Sequence, residues 1–167
     1  SIYIDGNYII KRDVNELIEK YLSDANAAFH NHNSQPAYDK RNCIYDEART
    51  ILMFGGKNMK ITPERGMKNY KDNPEIIVNQ MQKYMDNKYP EKNGLITGGV
   101  ILRRHNEKDC IGAMEDWWKE IRYGSKRDQL SFNYVAWKND LKFNYIDGDS
   151  RNNKYFHRDT KPHKGKK

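Results

Sequence analysis

The chain has 167 residues, of which 37% are hydrophobic, and its 30 basic and 23 acidic side chains give a net charge of +7. This length suits one compact domain, and no run approaches the roughly 18 apolar residues of a membrane span. The start of the chain lacks a basic and apolar signal pattern, so a cytoplasmic location is favoured. Leu, Ile, Val and Phe are few, but 12 Tyr, 6 Met and 3 Trp supply large apolar bodies and predict a folded, aromatic-rich core.

The positive charge is concentrated at the end of the chain. From Asp149 to Lys167 there are seven Lys or Arg and two Asp, which gives a net charge of +5. We therefore expect a domain over residues 1–149 and a basic tail over residues 150–167. A nucleic-acid-binding module that uses this tail is one alternative to an enzyme, and a solvated tail without a ligand is the simplest interpretation.

The first half of the chain alternates strand-like and helical segments. Residues 1–10 are β-branched and aromatic, and they predict a strand that ends in a turn. Helical periodicity follows Asp13, and again runs from Asn42 to a glycine pair at 55 and 56. Residues 23–38 show no clean period and are predicted to form a loop or an irregular strand.

The second half continues the alternation. Pro74 is suited to the first turn of a helix over residues 75–87. The apolar run 95–103 predicts a buried strand with two glycines where backbone or ligand must approach closely. Helices are expected over 108–122 and 129–138, followed by a last strand over 142–146. The first of these helices is predicted to turn inward Ile111, Met114, Trp117, Trp118 and Ile121. Strands alternating with helices predict an α/β fold.

Asp5-Gly6-Asn7 is a candidate metal motif. It puts two oxygen-bearing side chains two residues apart at the end of a buried strand, and Gly6 lets both point the same way. Ligands of open α/β sheets bind outside the carboxyl ends of strands, and Mg²⁺ or Mn²⁺ prefers oxygen ligands. The alternative is an ordinary turn.

Two other sites are open to two interpretations. Asp128, between Arg127 and Gln129 at a predicted helix start, either caps that helix or faces the hydroxyls of a sugar. A late histidine, His157 or His163, either is a polar surface residue or completes a metal site with Asp5. The two cysteines lack metal-binding spacing and are expected to be buried thiols.

The order of the motifs resembles the TOD/MUCI glycosyltransferase-like domain family, which is itself similar to the family 8 glycosyltransferases. The most specific block is Arg127 to Phe132, Arg-Asp-Gln-Leu-Ser-Phe, and the resemblance extends to about residue 150. The other matching segments are the Ile-Asp-Gly-Asn strand end, Arg41 to Ala48, Asn93 to Leu95, Val100 to Asn106, and the pair Trp117-Trp118.

The resemblance implies a GT-A type fold, in which a sheet with flanking helices binds a nucleotide-sugar donor and Mn²⁺ or Mg²⁺. On this basis Asp5, Asn7 and His157 would hold the metal, with His163 as the other choice for the late histidine. Asn7 departs from the family 8 pattern, where an Asp stands, so the site has one negative charge fewer. Asp128 and Gln129 match the pair that contacts the transferred sugar. The remaining substrate-binding candidates are Thr97, Gly98, Gly99, Arg103 and Arg127.

The expected function is metal-dependent transfer of a sugar from a nucleotide-sugar donor to a polysaccharide or glycoconjugate. The partners would be that donor and a glycan acceptor, and nucleic acid is not favoured. A catalytically inactive, scaffold-like relative is the other alternative, because Asn7 replaces a carboxylate. The metal motif lies at residue 5, so the amino-terminal nucleotide-binding part of a GT-A domain is expected to be missing, with weak donor binding as the result.

Overall fold

A computed structural model describes residues 1–54 and 73–159, and within them the fold is mixed α/β. The strands are β1 (Ile2–Ile4), β2 (Tyr8–Ile10), β3 (Ala27–Asn31), β4 (Ile96–Arg103), β5 (Phe143–Ile146) and β6 (Phe156–Arg158). The helices are α1 (Asn15–Tyr21), α2 (Ile44–Phe54), α3 (Pro74–Asp86), α4 (Lys108–Tyr123) and α5 (Phe132–Lys138). The predicted α/β class and its flanking helices are confirmed.

The central sheet has four strands in the order β1-β4-β3-β5. β4 runs antiparallel to both of its neighbours, and β3 and β5 are parallel, so β1, β3 and β5 share one direction. Their carboxyl ends therefore meet at a single edge of the sheet, where β4 begins. Asp5 follows β1 at this edge, His32 follows β3 and Asp147 follows β5.

Apolar side chains cover both faces of the sheet. On one face, α2 to α5 bury a core that includes Phe29 of β3, whose ring centroid is 4.0 Å from that of Phe132 and 6.1 Å from that of Trp117. On the other face, α1 packs Leu17 and neighbouring side chains onto Val100, Leu102 and Ile146. The aromatic-rich core that the composition predicts is confirmed.

Most predicted helices lie where the periodicity places them. α3 begins at Pro74, and the side chain of Asn73 accepts a hydrogen bond from the backbone N–H of Glu75, which caps the helix. The segment predicted as one helix over 129–138 is instead a single 3₁₀ turn, Asp128–Leu130, followed by α5. The predicted glycine end of the second helix, at 55 and 56, lies outside the described residues.

For residues 23–38, predicted to form a loop or an irregular strand, the strand is confirmed in the middle part, and its pairing with β4 shifts register between Phe29 and His30. Residues 27–31 form β3, which is paired on both sides, and four of its five residues are buried. A strand buried on both faces has no alternation of apolar and polar residues, so the period that marks a strand with one exposed face is missing.

The prediction for the inward face of α4 is also wrong in part. Trp117 is buried, but the side chain of Trp118 is 60% exposed and that of Ile111 is 42% exposed. Adjacent residues on a helix point about 100° apart, so two neighbouring tryptophans cannot both lie at the centre of one buried face.

The first residues of the predicted basic tail are packed against the domain. β6 pairs with β2 in an antiparallel ribbon, Phe156 is fully buried, and Ser150 is almost so. The described fold therefore extends through Arg158.

Cys43 and Cys110 are buried and free, as predicted. No helix within residues 1–54 and 73–159 is long and apolar enough to cross a membrane.

Candidate functional site

The Asp5-Gly6-Asn7 turn is fixed at the sheet edge by main-chain bonds. The backbone N–H of Asp5 donates to the carbonyl of Gly99 on β4 at 3.0 Å, and the N–H of Tyr8 donates to the carbonyl of Asp5 at 3.0 Å. The carbonyl of Asn7 accepts from the N–H of Asp159 at 2.7 Å. The turn is thus attached both to the strand that carries the glycine pair and to the end of β6.

The glycine pair lies in a bulge of β4. Phe29 pairs with Ile101 but the next residue, His30, pairs with Thr97, so residues 98 to 100 have no partners on β3. Bulges bend a strand and re-aim its side chains, and they are frequent next to active sites. The sequence predicted a close approach at these glycines, and the structure shows which groups make it.

Asp128 approaches Gly98. A Cβ on residue 98 would overlap the Oδ2 atom of Asp128, so only glycine fits beneath this carboxylate. The other oxygen, Oδ1, accepts from the backbone N–H of Gln129 at 2.9 Å. The indole Nε1–H of Trp117 donates to the main-chain carbonyl of Asp128 and to Ser131 Oγ, both at 3.2 Å. The buried tryptophan thereby positions the whole Asp128 turn against the sheet.

The negative charge of Asp5 acts on Asp128 electrostatically. Partial burial raises the pKa of Asp128, and the negative charge of Asp5 raises it further, while the N–H of Gln129 and the cation of Arg127 oppose this shift. The hydroxyl of Tyr3 donates to Asp5 Oδ1 at 3.0 Å, and this bond raises the pKa of Tyr3. The charge of Asp128 also raises the pKa of Tyr3. Tyr3 also lines a cleft together with Asp128, so it links the Asp5 carboxylate to the surroundings of Asp128.

Tyr8 approaches the second glycine from the opposite face. A Cβ on residue 99 would lie 2.7 Å from the Tyr8 hydroxyl oxygen. Burial raises the pKa of Tyr8, and the guanidinium of Arg158, its cross-strand partner, counteracts that effect. On the same strand as Gly99, Thr97 Oγ1 is buried without a hydrogen-bond partner among the described residues. β4 thus separates a carboxylate at Gly98 from a phenol at Gly99.

A cleft of about 470 Å³ opens from Asp128. Its floor is the β1 and β4 face of the sheet, its side is α4, and its size lies within the range of small-molecule sites. It is lined by Tyr3, Gly98, Ile101, Arg103, Met114, Trp117, Trp118, Ile121 and Asp128. Three predicted site residues, Gly98, Arg103 and Asp128, therefore line one cavity.

The other predicted substrate-binding residues surround Asp128 and the sheet edge. Arg127 is partly buried, and its Nη2 donates to Gln129 Oε1 at 3.5 Å. Gln129 Nε2 donates to the carbonyl of Ile96 at 3.3 Å. The structure thus brings Arg127, Asp128 and Gln129 together with the start of β4, where Thr97 lies.

The donor atoms of the Asp5-Gly6-Asn7 turn suit a hard divalent ion. Asn7 Oδ1 is buried and has no hydrogen-bond partner among the described residues, and Asp5 supplies a carboxylate. Within residues 1–54 and 73–159, no three His, Cys, Asp or Glu side chains are grouped to hold a metal. His157 is exposed on β6 opposite Ile9, so its role as a metal ligand stays a prediction, and His163 lies outside the described residues.

Sequence reasoning missed several residues of the site. Tyr3, Tyr8 and Arg158 were not singled out, and Trp117 was expected only in the core. Tyr3 had a usable signal, because residues two apart on a strand point to the same side, which places its side chain next to that of Asp5. Arg158 had none, because its place depends on the pairing of β6 with β2.

The chain belongs to the family described as TOD1/MUCI70, glycosyltransferase-like domain, which matches residues 1–155. The match covers the Asp5 turn, the glycine pair, Asp128 and most of the segment up to β6. In the same comparisons, no curated protein and no solved structure matches the chain. The expected family is therefore confirmed, and the chain is a glycosyltransferase-like domain.

Proposed function

We propose that this domain forms the metal and sugar side of a GT-A type glycosyltransferase site, which transfers a sugar from a nucleotide-sugar donor to a glycan or glycoconjugate. The observation that carries the proposal is the convergence of Asp5 and Asp128 on Gly98 and Gly99 of one strand, beside a cleft of about 470 Å³. One donor can contact both Asp5 and Asp128 only if the two carboxylates lie on the same face of the sheet.

The residue types suit the reaction. Breaking the bond between a sugar and a diphosphate builds positive charge on the ring and negative charge on the departing phosphate. A divalent ion bound at Asp5 and Asn7 would supply Lewis-acid stabilisation of that phosphate. Asp128 faces the cleft with Oδ2 and would favour the positive ring, while its other oxygen is held by Gln129. Arg127, next to Asp128, adds positive charge near the departing phosphate.

The topology supports the same proposal. Asp5 lies at the carboxyl end of a strand, at the edge where two further strands in the same direction also end. Ligands of α/β sheets bind outside such ends. The antiparallel strand β4 brings its glycine pair to that edge, where Asp128 packs against Gly98 and Tyr8 packs against Gly99.

The test measures the binding of Mn²⁺ and UDP to the chain by nuclear magnetic resonance. Mn²⁺ is paramagnetic, so it broadens the signals of amides close to it. We expect broadening around Asp5 and Gly99 that increases when UDP is added and is lost in Asp5→Asn. The matched control is Glu19→Gln, which removes the same charge from an exposed position on α1. This variant should bind Mn²⁺ and UDP as the parent chain does.

The assay measures binding, so it does not depend on turnover by this chain alone. Equal broadening in Asp5→Asn and the parent chain would contradict the metal role of Asp5. Binding of a panel of UDP-sugars and GDP-sugars then tests the role of Asp128. Asp128→Asn should weaken the part of the binding that depends on the sugar, and it should leave the binding of Mn²⁺ with UDP unchanged. If Asp128→Asn has no effect with any donor, the sugar role of Asp128 is wrong.

A further inference from the structure

The cleft beside Asp128 extends well beyond the reacting end of the site. Gly98 and Asp128 lie at the sheet edge, whereas Arg103 is five residues further along β4. At the rise of a strand, this distance is roughly 16 Å. A second cavity of about 440 Å³ adjoins the far end, and the two cavities share Arg103, Met114 and Trp118. The trough is therefore longer than one sugar ring.

Trp118 is the aromatic wall of this trough. Its side chain is 60% exposed, although the preceding residue, Trp117, is buried. Its indole lines both cavities, so the exposed ring lies along the trough. Tyr3 and Ile111, which are 46% and 42% exposed, line the same cavities as Trp118, and an exposed apolar surface of several such residues is typical of a binding site.

The opposite walls of the trough are polar. Asp128 and Tyr3 line one end of it, and Arg103 lines the other. Arg103 Nε is buried and has no hydrogen-bond partner among the described residues. A sugar ring has apolar C–H faces and a rim of hydroxyls, so an aromatic wall facing hydrogen-bonding groups matches both of its surfaces.

We propose that the trough along Trp118 is the acceptor subsite, where a pyranose ring of the glycan acceptor stacks on the indole and extends toward Asp128. The assignment to a glycan rests on the proposed function and on the continuity of the trough with Asp128. The inference adds a substrate class and a residue, Trp118, that positions the acceptor without taking part in bond breaking.

The test uses the indole N–H signals of the three tryptophans, with methyl β-glucoside, methyl β-galactoside, methyl β-xyloside and cellohexaose as probes. We expect at least one probe to shift the Trp118 signal in a saturable manner. Trp137 is the internal control, because its side chain is 42% exposed but lines a different cavity. Shifts of equal size at Trp118 and Trp137, or none at Trp118 with any probe, would overturn the proposal.

Two variants complete the test by saturation transfer from the protein to the sugar. Trp118→Ala should abolish the transfer, Trp118→Phe should keep part of it, and Tyr123→Ala should leave it unchanged. Tyr123 is the matched control because it lies on the same helix and its side chain is 76% exposed. Thermal unfolding of each variant checks that the fold is retained.

Failure of this inference can be told apart from failure of the proposed function. Trp118→Ala should keep the Mn²⁺ and UDP broadening at Asp5, so loss of both signals would assign Trp118 to the fold and overturn its role as a subsite. If the chain forms a dimer that Trp118→Ala converts to a monomer, the exposed indole is a protein interface and the acceptor subsite is wrong. Equal broadening in Asp5→Asn and the parent chain, with the Trp118 shift retained, would overturn the metal role of Asp5 and leave the acceptor subsite standing.

Discussion

The Oδ2 atom of Asp128 occupies the space that a side chain on residue 98 would need. Glycine at this position therefore does more than permit a bulge, because it admits a partly buried carboxylate to the floor of the cleft. The same strand admits the hydroxyl of Tyr8 at Gly99 from the other side. The two glycines together bring two side chains from distant parts of the sequence to adjacent positions of one strand.

Replacing Gly98 with alanine should displace Asp128. We expect Gly98→Ala to shift the Trp117 indole signal, because this N–H donates to the Asp128 carbonyl, and to weaken the sugar-dependent part of donor binding. The overpacking should lower the free energy of unfolding by about 1 to 3 kcal/mol. Gly112→Ala is the control, since a Cβ there meets nothing within 4 Å. An unchanged Trp117 signal in Gly98→Ala would show that Asp128 accommodates the methyl group without moving.

His30 should make the fold sensitive to acid. Burial lowers the pKa of His30 to about 4, although main-chain groups of Gly148 and Ile146 and the charges of Asp149 and Asp147 oppose the shift. The unfolded chain therefore binds a proton that the folded chain does not, over the interval from an ordinary pKa of about 6.5 down to about 4. Stability is lost as the pH falls through this interval, and the pKa of His32 is lowered by burial with the same sign.

The measurement is urea unfolding of the parent chain and of His30→Gln at two pH values. We expect the difference in unfolding free energy between about pH 7.5 and about pH 5 to be smaller in the variant by roughly 2 kcal/mol. His105→Gln changes an exposed imidazole and should keep the pH dependence of the parent chain. Identical dependence in His30→Gln and the parent would contradict a buried neutral His30.

The pair Arg41 and Glu47 should contribute strongly to stability. Arg41 Nε lies 2.7 Å from Glu47 Oε2, and the Glu47 side chain is buried against His32. Glu47→Ala leaves the partly buried Arg41 guanidinium without its main carboxylate, so the free energy of unfolding should fall by about 3 kcal/mol. Asp39 also contacts Arg41, at 3.5 Å, but it is exposed, so Asp39→Ala should cost at most about 0.5 kcal/mol. Equal losses in the two variants would contradict this difference.

Phe156 tests where the folded unit ends. Its side chain is fully buried with Val100, Leu102 and Ile146. Phe156→Ala should therefore lower the free energy of unfolding by about 3 to 5 kcal/mol, measured by urea denaturation. His157→Ala, which changes the exposed neighbour, should alter it by no more than about 0.5 kcal/mol. A small effect of Phe156→Ala would favour a tail that is independent of the domain from residue 150.

Local sequence patterns predicted the elements that have one buried face and one exposed face. α3 has a proline start, an asparagine cap and one apolar face, so its sequence contains the information that places it. β3 was not distinguished from a loop, because most of the residues Ala-Ala-Phe-His-Asn are buried and their polar members also signal a loop. The burial of His30 depends on neighbours from β4 and β5, which no local pattern reveals.

The candidate site was predictable where a motif and a strand end coincide. Asp5 and Asp128 were selected from their motifs, and the glycine pair indicated a close approach. The identity of the approaching groups was not predictable, because it depends on the bulge of β4 and on the Trp117 hydrogen bond to the Asp128 turn. Trp118 was predicted to be buried, because a tryptophan at helical spacing usually belongs to the core, but it is exposed.

The ribbon of β2 and β6 joins residues 8–10 to residues 156–158, and the Asp159 N–H bonds to Asn7. During synthesis the Asp5 turn therefore leaves the ribosome long before the segment that fastens it. Contacts between residues so far apart in sequence form slowly, so the geometry of the metal motif should be among the last features to form. A nascent chain halted before β6 would carry the motif in its sequence without the bond that holds Asn7.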